Sequence, residues 1–355
     1  ATQAVEASGR KRRLAIVVPV HWAAFMGGSQ FQAKLLIDHL QQANEYEITY
    51  LAHRTQAEYE GASHRVVTTR GWQRLRRYTD LSESLSLYSA LKQLQPDLIY
   101  QRAASGFTGI AAFYASRHNV PMVWHVASDM EVAPFDGALR LRTLPKWLEK
   151  QAIEYGLRHA SHIVVQTENQ RNLLARNYGR TDATMIRNFH PPAPLNQPRS
   201  ERFRVTWVAN LKPIKQPEVF LELARRLQHA PITFSIVGGP STSPKWQKEM
   251  DAQIAACPNV EYLGQLDQDA ENDELAASHL LVNTSKLEGF SNTFIQAWQR
   301  GLPVVTLNVN PDGLLNGDMG FCAEGSIERL VALVDELSTD ERRLRTLSQN
   351  VAELA

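Results

Sequence analysis

The chain has 355 residues, of which 43% are hydrophobic and 21% charged, and this balance is typical of a globular protein long enough for two domains. The two cysteines exclude a disulfide framework and a cysteine-rich metal site, and they favour a reducing compartment. The formal net charge of +1 conceals an asymmetry, because residues 1–195 hold 23 Lys and Arg against 16 Asp and Glu, whereas residues 196–355 hold 15 against 21. A basic first half and an acidic second half indicate different partners for each half.

The first half alternates predicted strands and helices. Residues 1–9 are predicted to be a flexible leader, and residues 13–20 form an apolar run typical of a buried parallel strand. A loop with Gly27 and Gly28 precedes a helix predicted over about residues 30–42. Further strands are predicted over residues 47–52, 97–100, 122–125 and 161–166. This alternation predicts a parallel α/β sheet in a first domain that covers residues 10–190.

Two basic segments of the first half also carry aromatic side chains. Residues 68–78 place arginines beside Trp72 and Tyr78, and residues 139–150 repeat the mixture of basic and apolar side chains. Solvated faces with aromatic anchors explain each segment when it is taken singly. Together they support a second hypothesis, which is peripheral contact with an anionic membrane through Arg70, Arg74, Arg76 and Arg77.

The second half begins after a proline-rich stretch, residues 191–200, which is predicted to be a linker. The strand and helix pattern then restarts and predicts a second α/β domain over residues 201–355. Predicted strands cover residues 203–209, 232–237, 260–263, 280–284 and 304–307. Predicted helices cover residues 217–228, 246–256 and 271–278. A further short helix is predicted to start near Ser291 and to end at Gly301, ahead of Pro303.

Three loops of this second domain follow strands, at the edge where open α/β sheets bind ligands. The first loop carries two lysines, the second a pair of glycines, and the third a carboxylate followed by a helix N-terminus that favours phosphate. Surface solvation and an ordinary tight turn explain the first two loops separately, but the three together predict a site for an anionic nucleotide. The residues of these loops that could contact such a nucleotide are Asn210, Lys212, Lys215, Gly238, Gly289, Phe290, Ser291, Asn292 and Thr293.

The segment that starts at Leu287 is LEGFSNTFIQAWQRGLPVV, and it resembles the donor-binding signature of the retaining glycosyltransferases of family 4. Other segments similar to this family are VANLKPIKQPE, IVGGP and NVEYLGQL in the second half, and MGGSQ, WHVASDME, VVQTENQRNLL and MIRNFH in the first. The resemblance covers nearly the whole chain. It implies the GT-B fold, which has two Rossmann-like α/β/α domains with parallel sheets that face each other across a cleft.

The resemblance also implies an activity. This is the retaining, metal-independent transfer of a sugar from a UDP- or GDP-sugar to a saccharide or lipid-linked acceptor, in the synthesis of a cell-surface polysaccharide or glycolipid. It implies no cofactor, no metal and no nucleic-acid partner, and a place in the cytoplasm at the inner face of the membrane. The C-terminal helix that crosses to the first domain in this family is expected to be truncated here. Two alternatives stay open, a non-catalytic sugar-nucleotide-binding partner subunit and a nucleotide-sugar 2-epimerase of the same fold.

The resemblance assigns roles to individual residues. Glu288 would accept hydrogen bonds from the donor sugar, and Lys215 would neutralise the leaving diphosphate. His125 would lie near the reactive carbon of the donor, with Asp129 as a weaker candidate that could instead cap a helix. Gly28 would let the loop of the first domain approach the phosphate. The presence of His125 together with Glu288 and Lys215 favours catalysis over binding alone.

Two positions depart from the family pattern. Asn210 stands where the family has an arginine, and Lys212 or Arg187 would compensate for the missing charge. Gln296 stands where the family has a second acid that holds the ribose hydroxyls. A glutamine side chain still has one acceptor and two donors, so the resemblance implies ribose binding that is weakened or retuned.

Overall fold

The computed structural model describes residues 10–53, 55, 64–71, 80–134, 144–193 and 198–354. The chain divides into two compact units between Arg187 and Asn188, a few residues before the predicted domain end at residue 190. Each unit is built on its own parallel sheet, of 7 and 6 strands respectively. The predicted fold class, two α/β domains with parallel sheets, is confirmed.

The first unit has the strand order β3-β2-β1-β4-β5-β6-β7. Its strands are β1 (Arg12–Val17), β2 (Tyr46–Ala52), β3 (Arg65–Thr68), β4 (Leu98–Arg102), β5 (Met122–His125), β6 (His162–Val165) and β7 (Thr184–Met185). Its helices are α1 (Gly28–Ala43), α2 (Ser84–Leu94), α3 (Gly106–His118), α4 (Asp129–Val132), α5 (Leu144–His159) and α6 (Glu168–Tyr178), with a 3₁₀ helix at Asp80–Glu83. Residues 14–17 of the central strand β1 are all apolar because they pack alternately against apolar clusters on the two faces of the sheet.

The second unit has the strand order β10-β9-β8-β11-β12-β13. Its strands are β8 (Phe203–Val208), β9 (Ile232–Val237), β10 (Val260–Gly264), β11 (Leu280–Asn283), β12 (Val304–Thr306) and β13 (Gly320–Cys322). Its helices are α7 (Pro217–Arg226), α8 (Pro244–Ala255), α9 (Gln268–Ala277), α10 (Asn292–Trp298), α11 (Ile327–Thr339) and α12 (Glu341–Leu354), with 3₁₀ helices at Pro213–Lys215 and Pro311–Gly313. Because β8 and β11 are neighbours, the loops that follow them are adjacent.

Several helices begin earlier than the apolar pattern predicts, because a capping residue precedes the first apolar position. The hydroxyl of Ser243 accepts from a backbone N–H of α8, which therefore begins at Pro244. The carboxylate of Asp267 accepts from the N–H of Ala270 at 2.9 Å, so α9 begins three residues before the predicted start. The predicted strand over residues 13–20 ends instead at Val17, close to Pro19, which has no N–H for the ladder.

The basic segments are only partly described. Arg70 is exposed, whereas Arg74, Arg76 and Arg77 and residues 139–143 lie outside the described residues. Residues 144–150 form the start of α5. Within the described ranges, no helix is both long enough and apolar enough to cross a membrane.

Candidate functional site

The loops that follow β8 and β11 are hydrogen-bonded to each other. The hydroxyl of Thr284 lies 2.8 Å from the carbonyl oxygen of Lys215 and accepts the indole N–H of Trp207 at 2.9 Å. The backbone N–H of Lys286 donates to the carbonyl of Ile214 at 2.9 Å. These bonds fix the backbone at Lys215, so its side chain projects from a rigid segment of the chain.

Lys215 and Glu288 form an ion pair at the carboxyl edge of the second sheet. The same Glu288 oxygen accepts from the hydroxyl of Ser285 at 2.8 Å and from the amide of Asn283 at 3.3 Å. The side chains of Lys215 and Glu288 are 25% and 14% exposed, so solvent reaches both. An ammonium group has three donors, so the pair retains the capacity to bind an anion. The structure thus brings together two residues that the sequence proposes for catalysis.

The glycine turn is held by the first loop. The side-chain oxygen of Asn210 accepts the N–H of Gly239 at 2.9 Å, and the hydroxyl of Tyr262 donates to the carbonyl of Gly238 at 3.0 Å. Gly238 has a φ of +152°, and an added Cβ would lie 1.8 Å from the carbonyl oxygen of Ala209. The turn therefore requires glycine. Asn210 supports the turn, and Lys212 is exposed beside it.

The helix after Glu288 begins at Asn292 with Ser291 in the N-cap position. Ser291 is the N-cap residue, but within the described residues its hydroxyl lies 2.8 Å from that of Thr293 and does not accept from a backbone N–H of the helix. Phe290 is buried, with its ring 6.1 Å from that of Trp298. A donor contact by Phe290 would therefore come from its backbone.

Gln296 is buried, and its amide group bonds to the neighbouring helix α9. The amide nitrogen donates to a carboxylate oxygen of Glu271 at 3.1 Å and to the side-chain oxygen of Asn272 at 3.2 Å. Burial raises the pKa of the Glu271 carboxyl, and the Gln296 amide and the Arg300 charge partly oppose that rise. The amide donors of Gln296 are thus occupied by α9, and its carbonyl oxygen is the group left for the predicted ribose contact.

A substitution at residue 296 tests the contact between Gln296 and Glu271. Gln296→Glu places a second carboxylate next to Glu271, and two such groups cannot both ionise without a large cost. A carboxyl pKa that is raised in the folded state removes stability as pH rises from the unfolded value through the folded one. We expect the variant to lose about 1–3 kcal/mol at pH 8 and much less at pH 5, measured by urea unfolding. Gln228→Glu, at an exposed position, is the matched control; an equal loss at both pH values would contradict the contact.

In the first unit, His125 ends β5 and is buried. Its Nδ1 lies 2.8 Å from Nη1 of Arg102 and 3.0 Å from the hydroxyl of Tyr100. Burial and the Arg102 charge lower the pKa of His125 to about 2, and the backbone carbonyl of Ile186 partly opposes this effect. His125 is therefore neutral over the whole physiological range.

The other candidates of the first unit lie near its strand ends. Ser128, not Asp129, is the N-cap of α4, so the capping alternative for Asp129 is wrong; its carboxylate accepts from the amide of Asn169 at 2.8 Å. Gly28 is the exposed first residue of α1, and Arg187 is exposed at the end of the unit. In the described part of the chain, no group of three His, Cys, Asp or Glu could hold a metal ion.

Sequence reasoning missed four residues near these candidates. Glu131 of α4 accepts the N–H of Ala127 at 3.1 Å, and burial raises the pKa of its carboxyl to about 7. Glu131 ends the segment WHVASDME but had no role assigned from the sequence, and the other three lie outside the quoted segments and are recognised only by their contacts in the folded chain. The four residues are Tyr100, Arg102, Glu131 and Glu271.

The buried histidines predict a loss of stability in acid. Burial, and to a smaller extent the neighbouring His64, lower the pKa of His21 to about 4. Burial also lowers the pKa of His64. His21 and His125 stay neutral in the folded first unit, whereas the same side chains in the unfolded chain take up protons below a pH of about 6.5, and His64 acts in the same direction. Stability is therefore lost as pH falls below about 6.5, at about 1.4 kcal/mol per pH unit for each such histidine. Glu131 acts in the opposite sense between its raised pKa of about 7 and its ordinary value.

Since His21 and His125 oppose Glu131 and His64 adds to their effect, we expect the unfolding transition of the first unit to lose at least about 1.4 kcal/mol per pH unit between pH 6 and 5, measured by urea unfolding. His21→Gln should make this dependence shallower by about one proton. His159→Gln, at an exposed position, should leave it unchanged. Equal unfolding free energies at pH 7 and pH 5 would contradict the assignment.

Two parallel α/β units, the second with an acid–lysine pair at the carboxyl ends of its strands, place the protein in the GT-B class. Residues 26–193 match the family model Glycosyltransferase Family 4, and residues 202–340 match the model Glycosyl transferases group 1. The chain belongs to the glycosyltransferases of family 4.

One similar protein is the D-inositol 3-phosphate glycosyltransferase of Rhodococcus jostii (strain RHA1). It is 28% identical over 214 residues, which are 53% of this chain and 47% of the relative. The chain spans about half the length of the curated relatives that it matches.

Solved structures show the same fold. The Anabaena protein Alr3699/HepE, in complex with UDP and glucose, is 17% identical, with 97% of this chain and 94% of that chain covered and a TM-score of 0.74. Sucrose-phosphate synthase from Thermosynechococcus elongatus is 15% identical, with 97% and 94% covered and a TM-score of 0.75.

Proposed function

We propose that the protein transfers a sugar from a nucleotide-sugar donor to a saccharide or lipid-linked acceptor. The observation that carries this proposal is the pair of Lys215 and Glu288, held at the carboxyl edge of the second sheet beside the glycine turn. Family membership supports the transferase activity. The complex of HepE with UDP and glucose supports a UDP-sugar as the donor.

In this proposal the donor lies across the three loops of the second unit. The sugar hydroxyls donate to the Glu288 carboxylate, whose position is fixed by Ser285 and Asn283. The diphosphate binds the Lys215 ammonium and the backbone N–H groups between Gly289 and Thr293. The glycine at residue 238 leaves room for a close approach to the backbone.

We further propose that transfer retains the anomeric configuration and needs no metal ion. The bond from the anomeric carbon to the phosphate oxygen breaks, and the acceptor oxygen forms its bond on the same face. The acceptor proton passes to the leaving phosphate oxygen. Lys215 stabilises the negative charge that grows on the diphosphate, which is electrostatic catalysis by a group already in position.

The proposed saccharide or lipid-linked acceptor carries negative charge and serves the synthesis of a surface polysaccharide or glycolipid at the inner face of the membrane. The surplus of positive charge in residues 1–195 supports an anionic partner. The Rhodococcus relative named for D-inositol 3-phosphate also supports a negatively charged acceptor. Pull-down with anionic vesicles at low and high salt tests the membrane part, since salt screens such contacts; binding that salt does not weaken would contradict it.

A thermal-shift screen of UDP-, GDP- and ADP-sugars tests the donor site. A ligand at 100 times its dissociation constant stabilises the folded state by about 2.7 kcal/mol, so one nucleotide class should raise the Tm clearly. Lys215→Met should remove most of that shift. No shift with any nucleotide sugar would contradict the proposal, whereas a shift without turnover would favour the non-catalytic partner subunit. Conversion of the bound donor into a second nucleotide sugar would favour the 2-epimerase.

A further inference from the structure

A buried arginine lies against His125 in the first unit. Arg102 is the last residue of β4 and is 2% exposed. It is the direct partner of His125 in the parallel register of β4 and β5, so the two side chains leave the sheet side by side. The Arg102 guanidinium lies 2.8 Å from Nδ1 of His125 and 3.4 Å from the hydroxyl of Tyr100, which is itself 3.0 Å from Nδ1.

This contact determines which nitrogen of His125 carries a proton. A guanidinium has five N–H donors, no acceptor, and does not lose its proton in proteins. The Nδ1 of His125 must therefore accept the hydrogen bond with its lone pair. A proton on Nδ1 would point at a donor, and a doubly protonated ring would place two positive charges together in a buried site. The remaining form is the neutral ring with its proton on Nε2.

We propose that Arg102 is a positioning residue that holds His125 neutral with its proton on Nε2, so that His125 serves the donor sugar as a hydrogen-bond donor and not as a base. The assignment of the proton stands on geometry alone. The action on a donor sugar rests on the function proposed above.

The groups around His125 agree with this assignment. Tyr100 and Arg102 face it from β4, and Glu131 of α4 interacts with Arg102. Nε2 makes no hydrogen bond of normal geometry within the described residues. Burial and Arg102 lower the pKa of His125 to about 2, which excludes the charged ring at neutral pH.

The assignment has a functional consequence. A base must have a free lone pair, and the only lone pair of this ring is bound to Arg102. A donor with its proton on Nε2 can bind a sugar hydroxyl equally well from pH 5 to pH 8. His125 should therefore contribute no titration to the pH profile of the wild-type enzyme.

Nitrogen NMR of the chain labelled in its histidines tests the proton assignment without any activity. The signal is assigned by its loss in His125→Gln. We expect the pattern of a neutral ring that is protonated on Nε2 and unprotonated on Nδ1, constant from pH 5 to pH 8. A proton on Nδ1, or a titration within this range, would overturn the proposal.

Arg102→Met tests the role of the arginine, and Arg117→Met, at an exposed position of α3, is the matched control. In Arg102→Met we expect His125 to show a mixture of the neutral forms protonated on Nδ1 and on Nε2. We expect kcat/KM for the donor to fall about tenfold, which corresponds to the loss of one oriented hydrogen bond. Arg102→Lys keeps a positively charged hydrogen-bond donor and should partly retain the Nε2-protonated form of His125. It is the test variant to use if Arg102→Met does not fold.

The outcomes separate the two proposals. A wild-type His125 with its proton on Nε2 in a chain that turns over no nucleotide sugar would overturn the proposed function and leave the assignment intact. An unchanged NMR pattern in Arg102→Met would overturn the role of Arg102. An altered pattern with unchanged kinetics would overturn the action on the donor.

Discussion

Replacement of Lys215 by methionine is expected to lower kcat/KM for the donor by about 100- to 1,000-fold. Removal of one preorganised group that stabilises charge in a transition state has an effect of this order. Lys215 forms an ion pair with Glu288 in the loop after β11, and the hydroxyl of Thr284 fixes the backbone of Lys215. Steady-state kinetics with the donor identified by thermal shift measures the effect. Lys248→Met, at an exposed position of α8, is the matched control and should retain activity.

Glu288→Gln completes this experiment. The amide keeps an acceptor oxygen but loses the charge that holds Lys215 in place, so we expect a loss of about 100-fold. Because the two residues act as a unit, the double variant should be little worse than Lys215→Met alone. Full activity in either single variant, or additive losses in the double variant, would contradict the paired role.

Gly238→Ala is expected to have the largest effect on stability. The new Cβ would lie 1.8 Å from the carbonyl oxygen of Ala209, and the φ of +152° is itself strained for an L-residue. Backbone must move at the end of β8, so we expect a loss of at least about 4 kcal/mol in the second unit, measured by urea unfolding.

Gly264→Ala is the matched control for this substitution. Gly264 also has a positive φ, of +70°, but an added Cβ there would meet nothing within 4 Å. Its cost should be limited to the conformational strain of about 1–2 kcal/mol. Similar losses for the two variants would show that the close approach to Ala209 is unimportant.

The strands that the sequence predicts best are the buried ones. Met122–His125 and Ile232–Val237 have the predicted bounds, because each is an apolar run between polar loops. The short strands β3, β7 and β13 were missed. Strands of four, two and three residues have too few positions to show a period, and pairing with a neighbour defines them.

In the candidate site, too, features that follow from a local sequence pattern were predicted, and those that depend on pairing between elements were not. The sequence placed Lys215 and Glu288 in loops that follow strands at one edge of the sheet, but it did not predict their ion pair, which depends on β8 and β11 being neighbours. The contact of Arg102 with His125 depends on the register of β4 and β5, and that of Gln296 with Glu271 on the packing of two helices. Neither register nor helix packing is written in a local motif, so these contacts required the fold.

Release of nucleoside diphosphate from a nucleotide sugar is the most direct test of the proposed activity. Wild-type protein is incubated with the donor that raises its Tm, and the released diphosphate is separated by chromatography. We expect slow release by hydrolysis without acceptor, retained in Lys248→Met and abolished in both Lys215→Met and Glu288→Gln. Binding of the donor with no release, or release that survives both substitutions, would contradict a transferase that works through this pair.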